Sequence, residues 1–394
     1  MKNIAFFTVT LSNGGAERVV SYLSKEFPEE YNRYVIVSYL SEEHYEYGGQ
    51  LINLDVKPAD NVLGKVSNYF KRINKLRKIK KELNLDTTIS FLDGANVVNI
   101  LSRVNDKIII SIRNHKSQEL SGKKGAIVMK IMSRMYRKAD KVIAISGGVE
   151  KDLLENFNVP KEKVKVIYNP IDINKIEKAA AEEIDESLKY IFEKPTIVNV
   201  GRLTNQKAQW SLIRAFSKVA EKNENINLAI LGQGELKEDL EKLIAEYNLQ
   251  DRVFLLGFQS NPFKYVSKSS VFVLSSLFEG LGNVVLEALA CNVPIISTDC
   301  KSGPREILAP GTSLDKKIES AETNEYGILI PVMNNPLENK SLELSKEEEI
   351  LADTILSLIN DKEKMEKYIT RSKQRVNNFE INTIVNEWIK IIEG

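Results

Sequence analysis

Short, β-branched apolar runs alternate with helical stretches along this chain, and the alternation restarts near the middle. Asn3–Thr10, Tyr34–Tyr39, Thr87–Leu92, Lys107–Ile112 and Lys141–Ser146 have the length and composition of buried strands, separated by helical or polar segments. The first gives way to Leu11–Gly15 and then to Ala16–Phe27, where Val19, Val20, Leu23 and Phe27 recur at helical spacing. A parallel connection needs a crossover long enough to hold a helix, so this alternation predicts parallel sheets covered on both faces. A second series follows: Thr196–Val200, Asn227–Leu231, Val253–Leu256, Val271–Ser275 and Pro294–Thr298, with helices such as Leu212–Ala220 and Leu236–Tyr247 between them. At 394 residues the chain exceeds a single core, given roughly 100–200 residues per domain. Two successive doubly wound α/β units are expected, joined near Tyr168–Asp172, where Asn169-Pro170 breaks regular structure. Residues 333–349 are polar and acidic and read as a surface excursion; Ile350–Asn360 and Lys362–Glu393 read as helices.

Composition narrows the function classes. Apolar residues are 43% and charged residues 28%, an ordinary globular balance. Met1–Thr10 is too brief an apolar run for a signal peptide, and no stretch approaches 18 consecutive apolar residues. Two cysteines, Cys291 and Cys300, build no disulfide framework and fit a reducing compartment. The expected location is cytoplasmic. The net charge of +1 conceals a division. Residues 1–170 carry 28 Lys and Arg against 19 Asp and Glu, and the remainder 27 against 35. A basic first half suggests an anionic partner on that side.

Three constellations carry chemistry. Ser12-Asn13-Gly14-Gly15-Ala16-Glu17 sits where the first strand turns into the first helix. Glycines allow close backbone approach, and a helix N-terminus presents N–H groups to an anion. It is not the Gly-x-Gly-x-x-Gly dinucleotide fingerprint, which weakens a nicotinamide reading, and a plain tight turn explains Gly-Gly equally well. Gly201-Arg202-Leu203 follows Thr196–Val200, with Lys207 five residues beyond Arg202. Two cations at the carboxyl edge of a sheet suit phosphates, although alone they are also what a solvated surface offers. Phe278-Glu279-Gly280-Leu281-Gly282-Asn283-Val284-Val285-Leu286-Glu287-Ala288 follows Val271–Ser275. Glu279 falls in the loop and Glu287 about two turns into the helix, an offset that puts both carboxylates on one side. Such a pair can hold two hydroxyl-bearing parts of one ligand while loop N–H groups face its phosphate.

This segment resembles the Glu-x7-Glu motif of retaining GT-B glycosyltransferases of family 4. Gly14-Gly15, Asn169-Pro170-Ile171-Asp172, Gly201-Arg202 with Lys207, and Ser302-Gly303-Pro304-Arg305-Glu306-Ile307 match the family in its own order. The resemblance spans nearly the whole chain and is strongest over 196–331. It implies the GT-B fold, two Rossmann-like doubly wound domains facing across a cleft. Residues 1–170 would bind the acceptor, residues 171–375 the nucleotide sugar, and the helix of residues 376–394, with Trp388, would return to the first domain. It implies that Arg202 and Lys207 neutralise the donor diphosphate and support its departure. Glu279 would contact the donor sugar, Glu287 the ribose, and the backbone of Gly280, Leu281, Gly282, Asn283 and Val284 the sugar and phosphate. Gly14, Gly15 and Gly201 would approach the donor, and His115 would lie close to its sugar. His44 matches no motif. Transfer of this kind uses no protein nucleophile: the departing phosphate takes the acceptor's proton, and the protein positions and stabilises charge. No Asp-x-Asp metal motif and no ligand cluster is present, so neither a metal nor another cofactor is expected.

Lys65, Lys71, Arg72, Lys75, Arg77, Lys78, Lys80 and Lys81 precede the first acid, Glu82, with Phe70, Ile73, Leu76 and Ile79 at helical spacing among them. Lys123–Lys141 adds seven basic residues to one acid, with Ile127, Val128, Ile131, Met132 and Met135 interspersed. A lipid-diphosphate-linked glycan acceptor at an anionic membrane accounts for cations and apolar residues together, and Lys71, Arg72, Lys75, Arg77 and Lys78 are the candidate contacts. A core stripe with a solvated cationic face is the structural alternative. No nucleic-acid motif accompanies the charge. The expected reaction moves a hexose or N-acetylhexosamine, UDP-linked, to a polyprenyl-diphosphate-linked glycan at the inner face of the cell membrane. Two rivals stay open: a GT-B enzyme with a soluble acceptor (a sucrose- or trehalose-type synthase or an epimerase), and an inactive nucleotide-sugar-binding subunit.

Overall fold

The computed structural model describes residues 1–12, 14–120, 122–338 and 343–394, with Lys123 described by its backbone only. Two compact units emerge: Met1–Pro170 together with Phe379–Gly394, and Ile171–Asn378. The first contains β1 (Lys2–Thr8), β2 (Tyr31–Val37), β3 (Gln50–Asn53), β4 (Thr87–Phe91), β5 (Lys107–Ile112), β6 (Lys141–Ala144) and β7 (Val164–Val166). They form one sheet in the order β3-β2-β1-β4-β5-β6-β7, every pair parallel. Alternate residues of β1 serve opposite faces, as the two-residue period of a strand requires. Ile4 and Phe6 pack with the helix Gly15–Glu26 and the C-terminal helix, while Ala5 and Phe7 pack with Ile73, Leu76, Ala95 and Val98. Both faces are apolar because both are covered.

The second unit repeats the plan with β8 (Thr196–Val200), β9 (Asn227–Leu231), β10 (Val253–Gly257), β11 (Val271–Leu274), β12 (Ile295–Thr298), β13 (Glu322–Thr323) and β14 (Ile328–Ile330). The order is β10-β9-β8-β11-β12-β14-β13, parallel except for the antiparallel β13–β14 edge. In each sheet the strand order reverses beside the first strand, between β1 and β4 and between β8 and β11. Connections diverge there to opposite faces and leave a crevice at the carboxyl ends, where ligands of open α/β sheets bind.

Several expectations need correction. β3, β7, β13 and β14 had no sequence signal: the last three are two or three residues long, below the window in which a period of two can be read, and β3 is a half-exposed edge strand with only two apolar residues. Lys362–Glu393 is not one helix. Lys362–Val376 ends, Asn377–Phe379 forms a 3-10 turn, and Ile381–Glu393 begins again with the Glu380 side chain accepting from Asn382 N at 2.8 Å. The chain re-enters the first unit at Phe379, whose ring meets Tyr168 edge-on at 5.2 Å. Trp388 is buried with its ring 5.8 Å from that of Phe91. Residues 333–338 run irregularly along the surface with Asn334, Pro336 and Glu338 exposed, but they are tied down: Met333 is fully buried, and the carbonyls of Asn335, Pro336 and Leu337 accept from the buried Trp210 and Arg214; the excursion ends before 349, because Lys346 already begins a helix. Residues 339–342 lie outside the described set.

The basic helix Val62–Glu82 turns inward the face its spacing suggested over Ile73, Leu76 and Ile79, but not as far as Phe70. Ile73 and Leu76 are core, but Phe70 is 64% exposed, and Lys80 is buried instead. Lys80 stays there because Asp106 Oδ2 lies 2.8 Å from Nζ and Asn99 Oδ1 lies 2.7 Å away. Three of the five candidate acceptor cations are committed to the fold. Arg72 donates to Val56 O, Lys75 to Leu54 O and Arg77 to Leu101 O. Lys78 pairs loosely with Glu82 at 3.6 Å, and Lys71 is exposed.

Candidate active site

In the second unit the candidate residues follow the two strands at the sheet's reversal. β8 runs into Gly201, exposed Arg202 and the 3-10 turn Asn205–Lys207; β11 runs into Ser275–Gly282. The two loops are stitched together. Leu277 N donates to Gln206 O at 2.8 Å, Gln206 Nε2 to Phe278 O at 2.9 Å, and Ser275 Oγ to Lys207 O at 2.7 Å. Their side chains meet as a result: Lys207 Nζ lies 2.6 Å from Glu279 Oε1, and Ser276 Oγ donates to the same oxygen at 2.6 Å. Glu279 is buried and Lys207 nearly so. Among the described residues no hydrogen bond reaches Glu279 Oε2.

This carboxylate is held at short range through Oε1 by the Lys207 ammonium and the Ser276 hydroxyl. It is suited to accept hydrogen bonds. Ser276 was missed in the sequence, although it stands three residues before Glu279 and could have been read as a loop partner.

Gly282 has φ +83° and caps the helix Asn283–Ala290. Gly280–Gly282 therefore stay outside the helix, and Glu287 lies little more than one turn into it, rather than two. Glu287 is buried. The loop is clamped from beneath by the Ser302–Arg305 turn. A Cβ on Gly303 would stand 1.9 Å from Leu281 O, so only glycine lets this backbone approach. Both thiols are nearby and inert. Burial, then the Glu287 charge, pushes Cys291 up to about 12; burial and the Glu279 charge push Cys300 higher still.

In the first unit, Gly14 caps the helix Gly15–Glu26 in an extended conformation, at the carboxyl end of β1. Asn13 lies outside the described residues. Burial raises the Glu17 carboxyl above its ordinary range, against its own backbone hydrogen bond and the Arg113 charge. Burial draws the Arg113 guanidinium down to about 10, opposed by Glu17, and the group sits over the Phe91 ring at 5.9 Å. His115 follows β5 and is buried. Its Nδ1 lies 3.2 Å from Ser117 Oγ and 3.5 Å from Asp152 Oδ2, two partners with no sequence signal. His44 is exposed, with Nδ1 3.1 Å from Tyr45 O. No group of three or more His, Cys, Asp or Glu among the described residues could hold a metal ion.

Comparison with known proteins decides the family. The models for glycosyl transferases group 1 and for Glycosyltransferase Family 4 match residues 181–322 and 13–175. An N-acetylgalactosamine-N,N'-diacetylbacillosaminyl-diphospho-undecaprenol 4-alpha-N-acetylgalactosaminyltransferase of Campylobacter jejuni is 30% identical over the whole of both chains. The chain belongs to glycosyltransferase family 4. An uncharacterized glycosyltransferase of Methanocaldococcus jannaschii is 38% identical to this glycosyltransferase over 82% of its chain and 83% of the relative. Among solved structures, Anabaena HepE in complex with UDP-glucose superposes on all of the glycosyltransferase with a TM-score of 0.77 at 18% identity. Sucrose-phosphate synthase from Thermosynechococcus elongatus does so with 0.76 at 16%, over 98% of its own chain. Both share the GT-B fold with the glycosyltransferase.

Proposed function

We propose that the protein is a retaining, metal-independent glycosyltransferase that moves a hexose or N-acetylhexosamine from a UDP-sugar to a glycan carried on a polyprenyl diphosphate. The Lys207–Glu279 contact of 2.6 Å at the carboxyl edge of the second sheet carries this reading. The bond that breaks joins the anomeric carbon to the donor diphosphate oxygen. The bond that forms joins that carbon to the acceptor oxygen, and the acceptor's proton leaves on the departing phosphate. Arg202 and Lys207 supply the positive charge that stabilises this leaving group, where a loop without them would need a divalent ion. Glu279 holds sugar hydroxyls through Oε2, and Glu287 the ribose. The identity of the C. jejuni relative, which by its name acts on a diphospho-undecaprenol substrate, supports a lipid-linked acceptor.

The same acceptor explains an exposed apolar stripe in the first unit. Val62, Leu63, Val66 and Phe70 are 50–84% exposed on the helix that follows β3, with Lys65 and Lys71 among and beside them. Ile127, Val128 and Ile131 are exposed likewise on Gly122–Tyr136, beside Lys124, Lys130 and Arg134. Apolar side chains ringed by cations suit the surface of an anionic bilayer. No described helix is long and apolar enough to cross a membrane. The protein would lie on the surface.

Melting the protein with UDP-, GDP- and ADP-sugars tests the donor. A ligand that binds only the folded state raises the melting temperature, by about 2.7 kcal/mol of stability at a hundredfold excess over its Kd. The expected result is a selective rise with one UDP-sugar; no rise with any nucleotide sugar would refute the reading.

A further inference from the structure

We propose that Ser276 is a positioning residue that decides which oxygen of Glu279 is offered to the donor, and that Thr298 holds Ser276 in place for this. The inference rests on the reading of Glu279 as the residue that holds the donor sugar.

The contacts run back from the carboxylate in two steps. Ser276 Oγ donates to Glu279 Oε1 at 2.6 Å, and the same oxygen lies 2.6 Å from Lys207 Nζ. The carbonyl of Ser276 in turn accepts from Thr298 Oγ1 at 2.6 Å. Thr298 is the last residue of β12, the strand beside β11, so the hydroxyl that meets Glu279 is set from the neighbouring strand. Ser276 and Thr298 are both fully buried, and neither trades its hydrogen bond for bulk water. Ser275 steadies the other partner of Glu279: its Oγ donates to Lys207 O at 2.7 Å.

Lys207 and Ser276 act differently on one oxygen. The ammonium is a compact charge on a flexible four-carbon stem, and it can follow either oxygen of a carboxylate. The last torsion of a glutamate is broad and nearly two-fold, so a carboxylate held by an ammonium alone exchanges its two oxygens. A serine hydroxyl has a short stem and a single proton to give. Here the stem rises from a buried backbone three residues before Glu279, and the proton goes to Oε1. Oε1 is thereby committed twice. Oε2, which no hydrogen bond reaches among the described residues, is left for hydroxyls of the donor. Charge at this carboxylate comes from Lys207, and orientation comes from Ser276. A carboxylate free to rotate loosens the sugar it positions and leaves the nucleotide unaffected.

The test compares a nucleotide with and without its sugar. For the donor identified by the melting screen, Ser276→Ala should weaken binding of the nucleotide sugar about tenfold, the scale of one hydrogen bond to a charged group. Binding of the free nucleoside diphosphate should not change. Thr298→Val should move the same ratio in the same direction by less, and it decides the matter if Ser276→Ala fails to fold. In a Glu279→Ala background, Ser276→Ala should have no further effect on either ligand. Equal losses for both ligands would make Ser276 a prop of the loop alone and overturn the proposal. No loss for either ligand, or a further loss without Glu279, would overturn it too. If the wild type binds no nucleotide sugar, the proposed function fails, and urea denaturation of Ser276→Ala, Glu279→Ala and the double variant decides on the pair. Their costs should be less than additive, and strict additivity overturns the proposal.

Discussion

A buried lysine needs a specific reason to exist, and Lys80 has one. Its side chain and that of Asp106 are both wholly inaccessible, with Nζ and Oδ2 2.8 Å apart. Burial nevertheless outweighs the Asp106 charge and draws Lys80 down to about 8. Its folded value is thus below its unfolded value of about 10.4, so the cost of holding the proton is fully present below pH 8 and is relieved as pH rises from 8 to about 10.4. Removing one partner leaves the other charge buried and alone. Lys80→Met should destabilise the protein by about 3–5 kcal/mol in urea denaturation, and Lys80→Met with Asp106→Leu should recover most of it. No recovery in the double variant would show that the lysine stem, not the charge pair, is what the site needs.

At the scale of elements, one helix departs from the role its sequence suggested. Val62–Glu82 was read as an apolar stripe of Phe70, Ile73, Leu76 and Ile79 beneath a cationic face. Spacing marks which residues share a face; it does not say where the neighbouring sheet ends. The sheet covers Ile73 and Leu76 and stops short of Phe70, and Val62, Leu63 and Val66 join Phe70 in the open. The membrane reading consequently moves from the cations to these side chains. Val62, Leu63 and Phe70 replaced together by Ser should weaken co-sedimentation with vesicles containing anionic lipid at least tenfold without lowering the melting temperature. Each removed apolar group is worth about 1.5–3 kcal/mol when buried, so a triple variant that still binds normally would place the contact elsewhere. The candidate donor loops were legible in sequence for a related reason. Gly201, Arg202, Lys207, Glu279 and Gly282 follow strands whose apolar runs are strong, so their place at a carboxyl edge could be inferred. What escaped was pairing across long separations: Ser276 and Lys207 converging on one oxygen of Glu279, and Asp152 on His115.

At the scale of the whole molecule, two sheets of the same plan carry unlike charge, and most of the architecture could be read from the restart of the strand series. Short edge strands and the break at Asn377–Phe379 could not, because each depends on what the neighbouring element already provides. Tyr31, Tyr265 and Tyr368 are all held up at about 12, chiefly by burial, with Glu393 adding to the first and Asp185 to the second. Their folded values exceed the unfolded value of about 10, so the stability they contribute is complete below pH 10 and is lost as pH rises through 12. Denaturation midpoints should fall steeply over that interval, and Tyr368→Phe should flatten the fall; an unaltered slope would show that another group titrates. The fold itself does not choose the acceptor, since sucrose-phosphate synthase has the same architecture. The decisive test lies at Glu279. In Glu279→Ala, with circular dichroism confirming the fold and Glu279→Gln as a neutral isostere, turnover of the donor identified by melting should drop by about 10²-fold or more. Near-normal transfer by the folded alanine variant would contradict the role assigned to the Lys207–Glu279 pair.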